Sequence, residues 1–305
     1  MTKPLILGTR GSDLALAQSR MVQEALMSTH TGLVVQLKII TTTGDAQTSM
    51  PLDEPTAEGA GLFTKQLEGA LLNAEIDLAV HSLKDLPVET PSGLCLAAIL
   101  PRAPTGDLLV SRHQGGLSVL PPGAVIGTSS PRRALLLKNR RPDLVMTAIR
   151  GNVPTRLQKV TSAESYDATI LASAGLLRLG QDLSWESIEI NGCRLWIEHL
   201  SWMLPAPGQG AIAVEMRDDN PSIPLISALH DTATARCVET ERLVLRHLGG
   251  GCHLALGALA TESCGMIHLQ AVFVSEENAQ MRSATASATN PGEAARLVAD
   301  QLMVL

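Results

Sequence analysis

Several polar side chains stand together at the end of a short apolar run, and they could bind an acid and move protons. Residues 76–91 read IDLAVHSLKDLPVETP, in which the polar cluster is His81, Ser82, Lys84 and Asp85. A carboxylate can stabilise developing positive charge or transfer a proton, and an ammonium group can pair with a substrate acid. The alternative is a solvated loop in which Lys84 and Asp85 merely face water.

Arginines offer a second candidate chemistry, the binding of anions. In GTSSPRR at 127–133, Ser130 and Pro131 predict the start of a helix, so Arg132 and Arg133 would lie in its first turn. Positive charge there opposes the helix dipole by roughly 0.3–1 kcal/mol per residue, which a bound anion would explain. The arginines that follow strand ends or occupy early helical turns are Arg132, Arg133, Arg150, Arg156 and Arg178. The alternative is that each is an ordinary surface residue.

A cysteine in the run GGGC at 249–252 is the third candidate. Three glycines leave room around the thiol of Cys252 and allow backbone positions closed to other residues, so this cysteine could hold a group covalently. The alternative is a small residue in a tight turn. The remaining cysteines, which are expected to be structural, are Cys95, Cys193, Cys237 and Cys264.

The polar cluster needs a strand to carry it, and the first hundred residues predict a βαβαβ order. The expected elements are strands at 5–7, 33–40 and 76–80 and helices beginning at Ser12 or Asp13 and near Leu62. This order predicts a parallel sheet, whose strands end at one shared edge. Arg10 would lie in the turn after the first strand.

A second α/β unit is expected after the Pro- and Gly-rich segment at 101–106. Its strands should end near Ile126, Ile149 and Leu171, with Asn152 capping the helix that carries Arg156. The chain then predicts a return strand within 204–215, a helix at 233–248, short strands and a closing helix from Pro291. The predicted division is domain 1 at 1–102 and 201–218, domain 2 at 103–200 and an α+β domain 3 at 219–305.

Composition excludes several function classes. The 305 residues are 45% apolar but only 2% aromatic, and the net charge is -6, which argues against a general nucleic-acid binder. The five cysteines lack C-x-x-C spacing, and the eight histidines lack zinc-protease spacing, so neither a disulfide framework nor a metal site is expected. Apolar runs are too short for a signal peptide or a membrane span. We expect a cytoplasmic protein.

Eight segments, taken in order, closely resemble the porphobilinogen deaminase (hydroxymethylbilane synthase) family. They are TRGSDLALAQ at 9–18, GLFTKQLE at 61–68, AVHSLKDLP at 79–87, GTSSPRR at 127–133, RGNVPTRL at 150–157, ASAGLLRLG at 172–180, PGQGA at 207–211 and GGGC at 249–252. The resemblance implies a monomer with two α/β domains like those of periplasmic solute-binding proteins and a third domain that bears a cysteine loop. It also implies a transferase that joins four porphobilinogen units head to tail, releases ammonia at each step and finally frees linear hydroxymethylbilane with water.

The resemblance also implies a cofactor and a role for each site residue. Cys252 would hold dipyrromethane through a thioether, and Asp85 would be the catalytic carboxylate beside the pyrrole N–H. The other cofactor contacts would be Ser12, Ser82, Lys84, Thr128, Ser129, Ser130, Arg132, Arg133 and Arg150, with Asp85 also contributing. The substrate contacts would be Arg10, Phe63, Arg150, Arg156 and Arg178. Arginine suits this task because its planar fork pairs bidentately with acetate and propionate groups.

The chain departs from the family pattern at one position. Family members usually carry lysine just before the GLF segment, where this chain has Ala60. Lys65, a helical turn away, would replace that cation poorly, so substrate affinity or elongation is expected to differ.

Two rival hypotheses remain at this point. A non-catalytic two-domain anion-binding protein would also use the arginines, but it gives no reason for the glycine-flanked Cys252. A cysteine hydrolase would use Cys252 with His253 as its base, although neighbouring side chains on a strand point to opposite faces.

Overall fold

The computed structural model describes residues 3–41, 64–162, 165–250, 254–275 and 280–303. These residues form two compact units, one made of residues 1–102 and 211–236 and the other of residues 103–210 and 237–305. The division into three domains, with residues 219–305 separate, stays a prediction.

The first unit is built on a mixed sheet. Its elements are β1 (Leu5–Thr9), α1 (Asp13–Thr29), β2 (Val35–Ile39), α2 (Lys65–Leu72), β3 (Leu78–Ser82), β4 (Leu94–Ile99), β11 (Ile212–Arg217) and α6 (Ile223–Ser227). In the described residues the strand order is β2-β1-β3-β11-β4. The first three strands are parallel, as the βαβαβ order predicts, and the strand that returns to this unit, β11, runs antiparallel to β3 and β4.

Helix α1 begins where the sequence predicts. Ser12 has an extended backbone and its hydroxyl accepts a hydrogen bond from Ala15 N at 3.4 Å, which satisfies one of the free amides of the first turn. The inward face of α1 places Val22 and Leu26, both fully buried, against the apolar residues of β1 and β3. Burial of this face fixes the helix on the sheet and brings its N-terminus to the end of β1.

The second unit combines a mixed sheet with a smaller antiparallel one. Its elements are β5 (Asp107–Ser111), β6 (Val125–Gly127), α3 (Pro131–Arg140), β7 (Val145–Thr147), α4 (Val153–Thr161), β8 (Ala168–Ala172), α5 (Ser173–Arg178), β9 (Ser187–Ile190), β10 (Cys193–His199), β12 (Leu256–Ser263), β13 (Met266–Val274), β14 (Met281–Ala288) and α8 (Pro291–Met303). Helix α7 (Thr232–His247) begins in the first unit and continues into the second. Among the described residues the strand orders are β7-β6-β8-β5-β10-β9 and β12-β13-β14.

Residues 237–305 share a hydrophobic core with the rest of the second unit. Val272 and Val274 of β13 and Ala255 pack in one cluster with Ile126 of β6 and Leu137 of α3. Helix α8 covers β13 and β14 on the small sheet. The predicted fold class, α/β with a small α+β C-terminal part, is confirmed.

A βαβαβ order occurs in each unit, although the sequence shows no internal repeat. In the first unit Asp77 precedes β3, and its carboxylate accepts Ile6 N of β1 at 2.8 Å. In the second, Asp167 precedes β8, and its carboxylate accepts Val125 N of β6 at 2.8 Å. Each aspartate therefore fixes the register of a parallel strand pair whose far ends carry candidate site residues. Within the described residues, no helix is long and apolar enough to cross a membrane.

Candidate functional site

The end of β3 presents the polar cluster that the sequence predicts. Leu83–Asp85 form one turn of 3-10 helix, in which Leu83 is buried, Lys84 is half-buried and Asp85 is exposed. The turn is held because Leu83 N donates to Ala211 O at 3.1 Å. A buried leucine thus anchors the turn and leaves the Asp85 carboxylate at the surface of the first unit.

The turn after β1 lies beside this cluster. Strands β1 and β3 are parallel neighbours, so Arg10 and Ser12 follow a strand end at the same edge as Ser82. Gln18 of α1 donates from Nε2 to the Ser82 hydroxyl at 2.8 Å, which joins the helix to the end of β3. The first unit therefore places Arg10, Ser12, Ser82, Lys84 and Asp85 at one edge of its sheet.

A buried histidine and glutamate lie behind this edge. His81 Nε2 of β3 lies 3.1 Å from Glu215 Oε2 of β11, and their side chains are 5% and 2% exposed. His81 was predicted as part of the polar cluster, but it is buried in the sheet. Glu215 was not predicted because β11 reads as an apolar strand and its partner comes from a distant part of the sequence.

Arg132 and Arg133 share one buried carboxylate in the second unit. The carboxylate of Asp107, the first residue of β5, forms an ion pair with Arg132 Nη2 at 2.8 Å and accepts a hydrogen bond from Arg133 Nη2 at 2.7 Å. Arg132 Nη1 also donates to Leu204 O at 2.7 Å, and Arg133 Nη1 donates to Ile170 O at 2.8 Å. An anion was predicted beside these arginines, and in this structure one such anion is the protein's own Asp107.

The PGQG loop supports the same carboxylate. Gln209 Nε2 donates to Asp107 Oδ1 at 3.0 Å and to Thr105 O at 2.6 Å. The next residue, Gly210, has a φ of +89°, and a Cβ there would stand 2.5 Å from Ala103 O, so this turn requires glycine. Loop and strand β5 are therefore packed together around Asp107.

Arg178 of α5 forms a hydrogen bond with the PGQG loop. Its Nη2 donates to Gly210 O at 2.6 Å, and burial lowers the pKa of the guanidinium to about 10, so it stays charged at neutral pH. Arg178 was expected in an early helical turn. It lies instead at the last residue of α5, because that helix is a short turn beginning at Ser173.

The loops after β6 and β7 contact one another. Ser129 Oγ donates to Ile149 O at 2.9 Å and accepts Ile149 N at 3.1 Å. Ser130 and Asn152 cap α3 and α4 as predicted, by accepting Arg133 N at 3.5 Å and Thr155 N at 3.0 Å respectively. The residues brought to this edge of the second unit are Thr128, Ser129, Ser130, Arg132, Arg133, Arg150, Arg156 and Arg178.

The donor set of this edge fits an acid-rich ligand. Two buried guanidinium groups face one carboxylate, so positive charge is in excess. Burial lowers the pKa of Arg132, Arg133 lowers it further, and Asp107 opposes the change. The Nε atoms of Arg132, Arg133 and Arg178 are buried and have no hydrogen-bond partner in the part of the chain that the structure describes. Donors of this kind suit carboxylate groups such as those of dipyrromethane.

Some predicted site residues fall outside the described residues. They are Phe63, Cys252 and the departure from the family pattern, Ala60. Groups of three or more metal-binding side chains are absent from the described part of the chain.

Sequence reasoning missed Asp107 and gave Gln209 no role. The available signal for Asp107 was a carboxylate opening an apolar strand, DLLVS at 107–111, since a charged residue in a buried strand needs a partner. Its partners, two arginines more than twenty residues later, could not be paired with it from the sequence.

Comparison with known proteins decides the family. The family profile described as porphobilinogen deaminase, dipyromethane cofactor binding domain, matches residues 5–224. The chain belongs to the porphobilinogen deaminase family. A second profile, the porphobilinogen deaminase C-terminal domain, matches residues 235–303.

Porphobilinogen deaminases from several bacteria align with nearly the whole chain. The protein of Rubrobacter xylanophilus is 41% identical over 304 residues, covering 99% of this chain and 95% of that protein. The protein of Syntrophobacter fumaroxidans is 41% identical over 300 residues, covering 98% and 93% respectively. The protein of Roseiflexus sp. strain RS-1 is 41% identical over 305 residues, covering 99% and 97%.

The solved structures that match this chain include a periplasmic domain and a solute receptor. The periplasmic VFT2 domain of Bordetella pertussis BvgS has a TM-score of 0.43 and 14% identity, covering 76% of this deaminase chain and 88% of that one. The L-cystine solute receptor of Neisseria gonorrhoeae has a TM-score of 0.40 and 11% identity, covering 82% and 94%.

Proposed function

We propose that this chain is a hydroxymethylbilane synthase, a transferase that condenses four porphobilinogen units and releases ammonia at each step. The observation that carries this proposal is the family match along nearly the whole chain, at 41% identity to proteins named porphobilinogen deaminase. A non-catalytic anion-binding protein would need the arginines but not the family's C-terminal domain with its GGGC run.

In this proposal the arginines bind the acetate and propionate groups of the pyrrole rings. Arg10 lies in the first unit, and Arg132, Arg133, Arg150, Arg156 and Arg178 lie in the second. Guanidinium groups cannot lose their proton near neutral pH, and their paired N–H donors match a carboxylate. The hydroxyl and amide groups of the capped helix α3 add neutral donors to the same ligand.

Asp85 is proposed to interact with the pyrrole nitrogen of porphobilinogen. As ammonia leaves porphobilinogen, positive charge develops on the pyrrole ring, and an ionised carboxylate beside the N–H stabilises it. The same carboxylate can accept and return the N–H proton. Dipyrromethane, when bound, supplies the free pyrrole carbon from which the product chain grows, and we assign its attachment to Cys252. Phe63 is assigned to the substrate side.

The mass of the intact protein tests this function. Purified protein is expected to carry an added mass equal to two linked pyrroles, and Cys252→Ser should lack it. The matched control is Cys193→Ser, which changes an exposed cysteine at the start of β10 and should keep the added mass. Absence of the increment from the unaltered protein, together with no consumption of porphobilinogen, would reject the proposal.

Other properties of the proposed enzyme follow from the family assignment and the composition. We assign it to the cytoplasm as a monomer whose partner is porphobilinogen, without a nucleic-acid or membrane partner. Light scattering of the purified protein should give the mass of one chain, 32.2 kDa.

A further inference from the structure

Asp107 is the point at which the second unit's polar network converges. Its side chain is fully buried, and it contacts Arg132, Arg133 and Gln209 at 2.7–3.0 Å. A buried carboxylate that accepts two hydrogen bonds and forms a further ion pair has little freedom to move. The Asp107 carboxylate is therefore a fixed point to which the guanidinium groups of Arg132 and Arg133 bind.

Each arginine has a second fixed contact, which determines the plane of its guanidinium group. Arg132 Nη1 donates to Leu204 O, and Arg133 Nη1 donates to Ile170 O. The contact with Asp107 and the contact with a main-chain carbonyl together leave no free rotation about the terminal bonds. The Nε atom of each arginine remains without a hydrogen-bond partner in the described residues.

The loop behind Asp107 is itself fixed by a second buried carboxylate. Glu241 of α7 accepts Gly208 N at 2.7 Å and Ala260 N at 2.8 Å. This holds the residue next to Gln209, whose amide donates to Asp107. Glu241 thus holds the PGQG loop at Gly208, and the next residue, Gln209, holds Asp107 beside the arginine pair.

We infer that Asp107 is a positioning residue that orients Arg132 and Arg133 for the carboxylates of the dipyrromethane cofactor. This inference rests on the proposed function and adds a residue to it. Asp107 does not touch the ligand. It acts through the two guanidinium groups, and Gln209 acts in turn by holding Asp107.

The experiment follows cofactor loading in Asp107→Asn. An asparagine can accept from one guanidinium but presents N–H donors to the other, so the pair loses its shared geometry. Apoprotein made in cells unable to synthesise porphobilinogen is mixed with porphobilinogen, and the gain of two pyrroles is followed by intact mass. The half-time is expected to lengthen roughly tenfold or more, because misaligned donors no longer hold the ligand acids together.

Asp143→Asn is the matched control. Asp143 also pairs with an arginine in the second unit, Arg141, at 2.7 Å, but it touches neither Arg132 nor Arg133. Its loading half-time should change by less than about twofold. Circular dichroism confirms that each variant is folded at the assay temperature. If Asp107→Asn loads as fast as Asp143→Asn, Asp107 has only a structural role and the inference is wrong.

Loss of two buried charge pairs could prevent Asp107→Asn from folding, so Gln209→Met provides an independent test. Methionine is close to glutamine in size, keeps both arginine–aspartate pairs and removes the donor that fixes Asp107. We expect loading to slow about threefold, with KM for porphobilinogen on the loaded fraction changed more than kcat. Unchanged loading and KM would overturn the inference. Failure of the unaltered protein to load would instead reject the proposed function.

Discussion

At the scale of single residues, the chemistry depends on how each charged group is anchored. Asp85 is exposed at the end of a turn that buried Leu83 holds in place, so its carboxylate can meet a ligand. His81 precedes Asp85 by only four residues, but its side chain is buried, with Nε2 3.1 Å from Glu215 Oε2. Neighbouring polar residues in one motif therefore have opposite environments, and only those facing solvent are assigned to the ligand.

Asp85→Asn tests the catalytic assignment. The amide keeps the size of the side chain but cannot stabilise positive charge on a pyrrole nitrogen or accept its proton. We expect kcat, counted per molecule that carries the cofactor, to fall about 100-fold or more. The control is Glu89→Gln, which changes an exposed carboxylate in the same segment and should keep kcat within about twofold. Equal rates for the two variants would remove Asp85 from the mechanism.

At the scale of elements, aspartates set the register of the strands that carry the site. The Asp167 carboxylate forms an ion pair with Arg112 Nη2 at 2.6 Å and accepts a hydrogen bond from Val125 N at 2.8 Å. It also lies 3.0 Å from His113 Nε2. Burial raises the pKa of Asp167, but hydrogen bonds from His113, Val125 N and Arg112 outweigh this effect and lower it to about 2. The carboxylate therefore stabilises the parallel pair β6–β8 in its ionised form.

The pH dependence of stability tests this function of Asp167. Its pKa in the unfolded chain is about 3.9, so the stabilisation is fully present above that value and is lost as the pH falls through about 2. We expect Asp167→Asn to lower the free energy of unfolding by about 1 kcal/mol at pH 7, allowing for solvent screening. The difference from the unaltered protein should shrink steadily below pH 4 in urea titrations.

The control for this experiment is Asp300→Asn. Asp300 forms an exposed pair with Arg296 at 3.1 Å on helix α8 and should contribute less than about 0.5 kcal/mol. An Asp167→Asn effect that is equally large at pH 2 and pH 7 would show that shape, and not charge, accounts for the stabilisation.

At the scale of the whole molecule, residues 237–305 are joined to the second unit by a shared core and by Glu241. Val272 and Val274 pack with residues of β6 and α3, and Glu241 links helix α7 to both the PGQG loop and β12. A shared core predicts that these residues unfold together with the second unit.

Glu241→Gln tests this coupling. Glutamine can accept one of the two amides, Gly208 N or Ala260 N, but presents a donor to the other, so we expect a loss of about 2 kcal/mol. All three tryptophans lie at positions 185, 196 and 202, so their fluorescence reports on the second unit. The midpoint of unfolding followed by this fluorescence should move to lower denaturant concentration.

The control is Glu239→Gln, an exposed change on the same helix, which should leave the midpoint unchanged. If Glu241→Gln leaves the tryptophan midpoint in place while circular dichroism shows a new early transition, residues 237–305 unfold independently. That result would favour the predicted separate third domain over a single cooperative unit.

The sequence by itself determined the features that depend on local order. Serine or asparagine at a cap, followed by apolar residues at helical spacing, located α1, α3 and α4, because capping and amphipathic burial act over a few residues. The βαβαβ order placed strand ends at common edges. Ordered motifs such as AVHSLKDLP and GTSSPRR identified the family and its candidate residues.

Only the tertiary structure decided how distant residues pair. The antiparallel insertion of β11 between β3 and β4 brings Glu215 to His81, and the packing of α3 on the sheet brings Arg132 and Arg133 to Asp107. These contacts join residues that are 25 or more positions apart. The spacing of apolar residues predicts helices and strands, but it does not indicate which two buried charged residues will form a pair. An unpaired charge costs free energy when it is buried in the low dielectric of the core. This cost arises only in the folded chain, so it cannot be assigned to particular partners from the sequence.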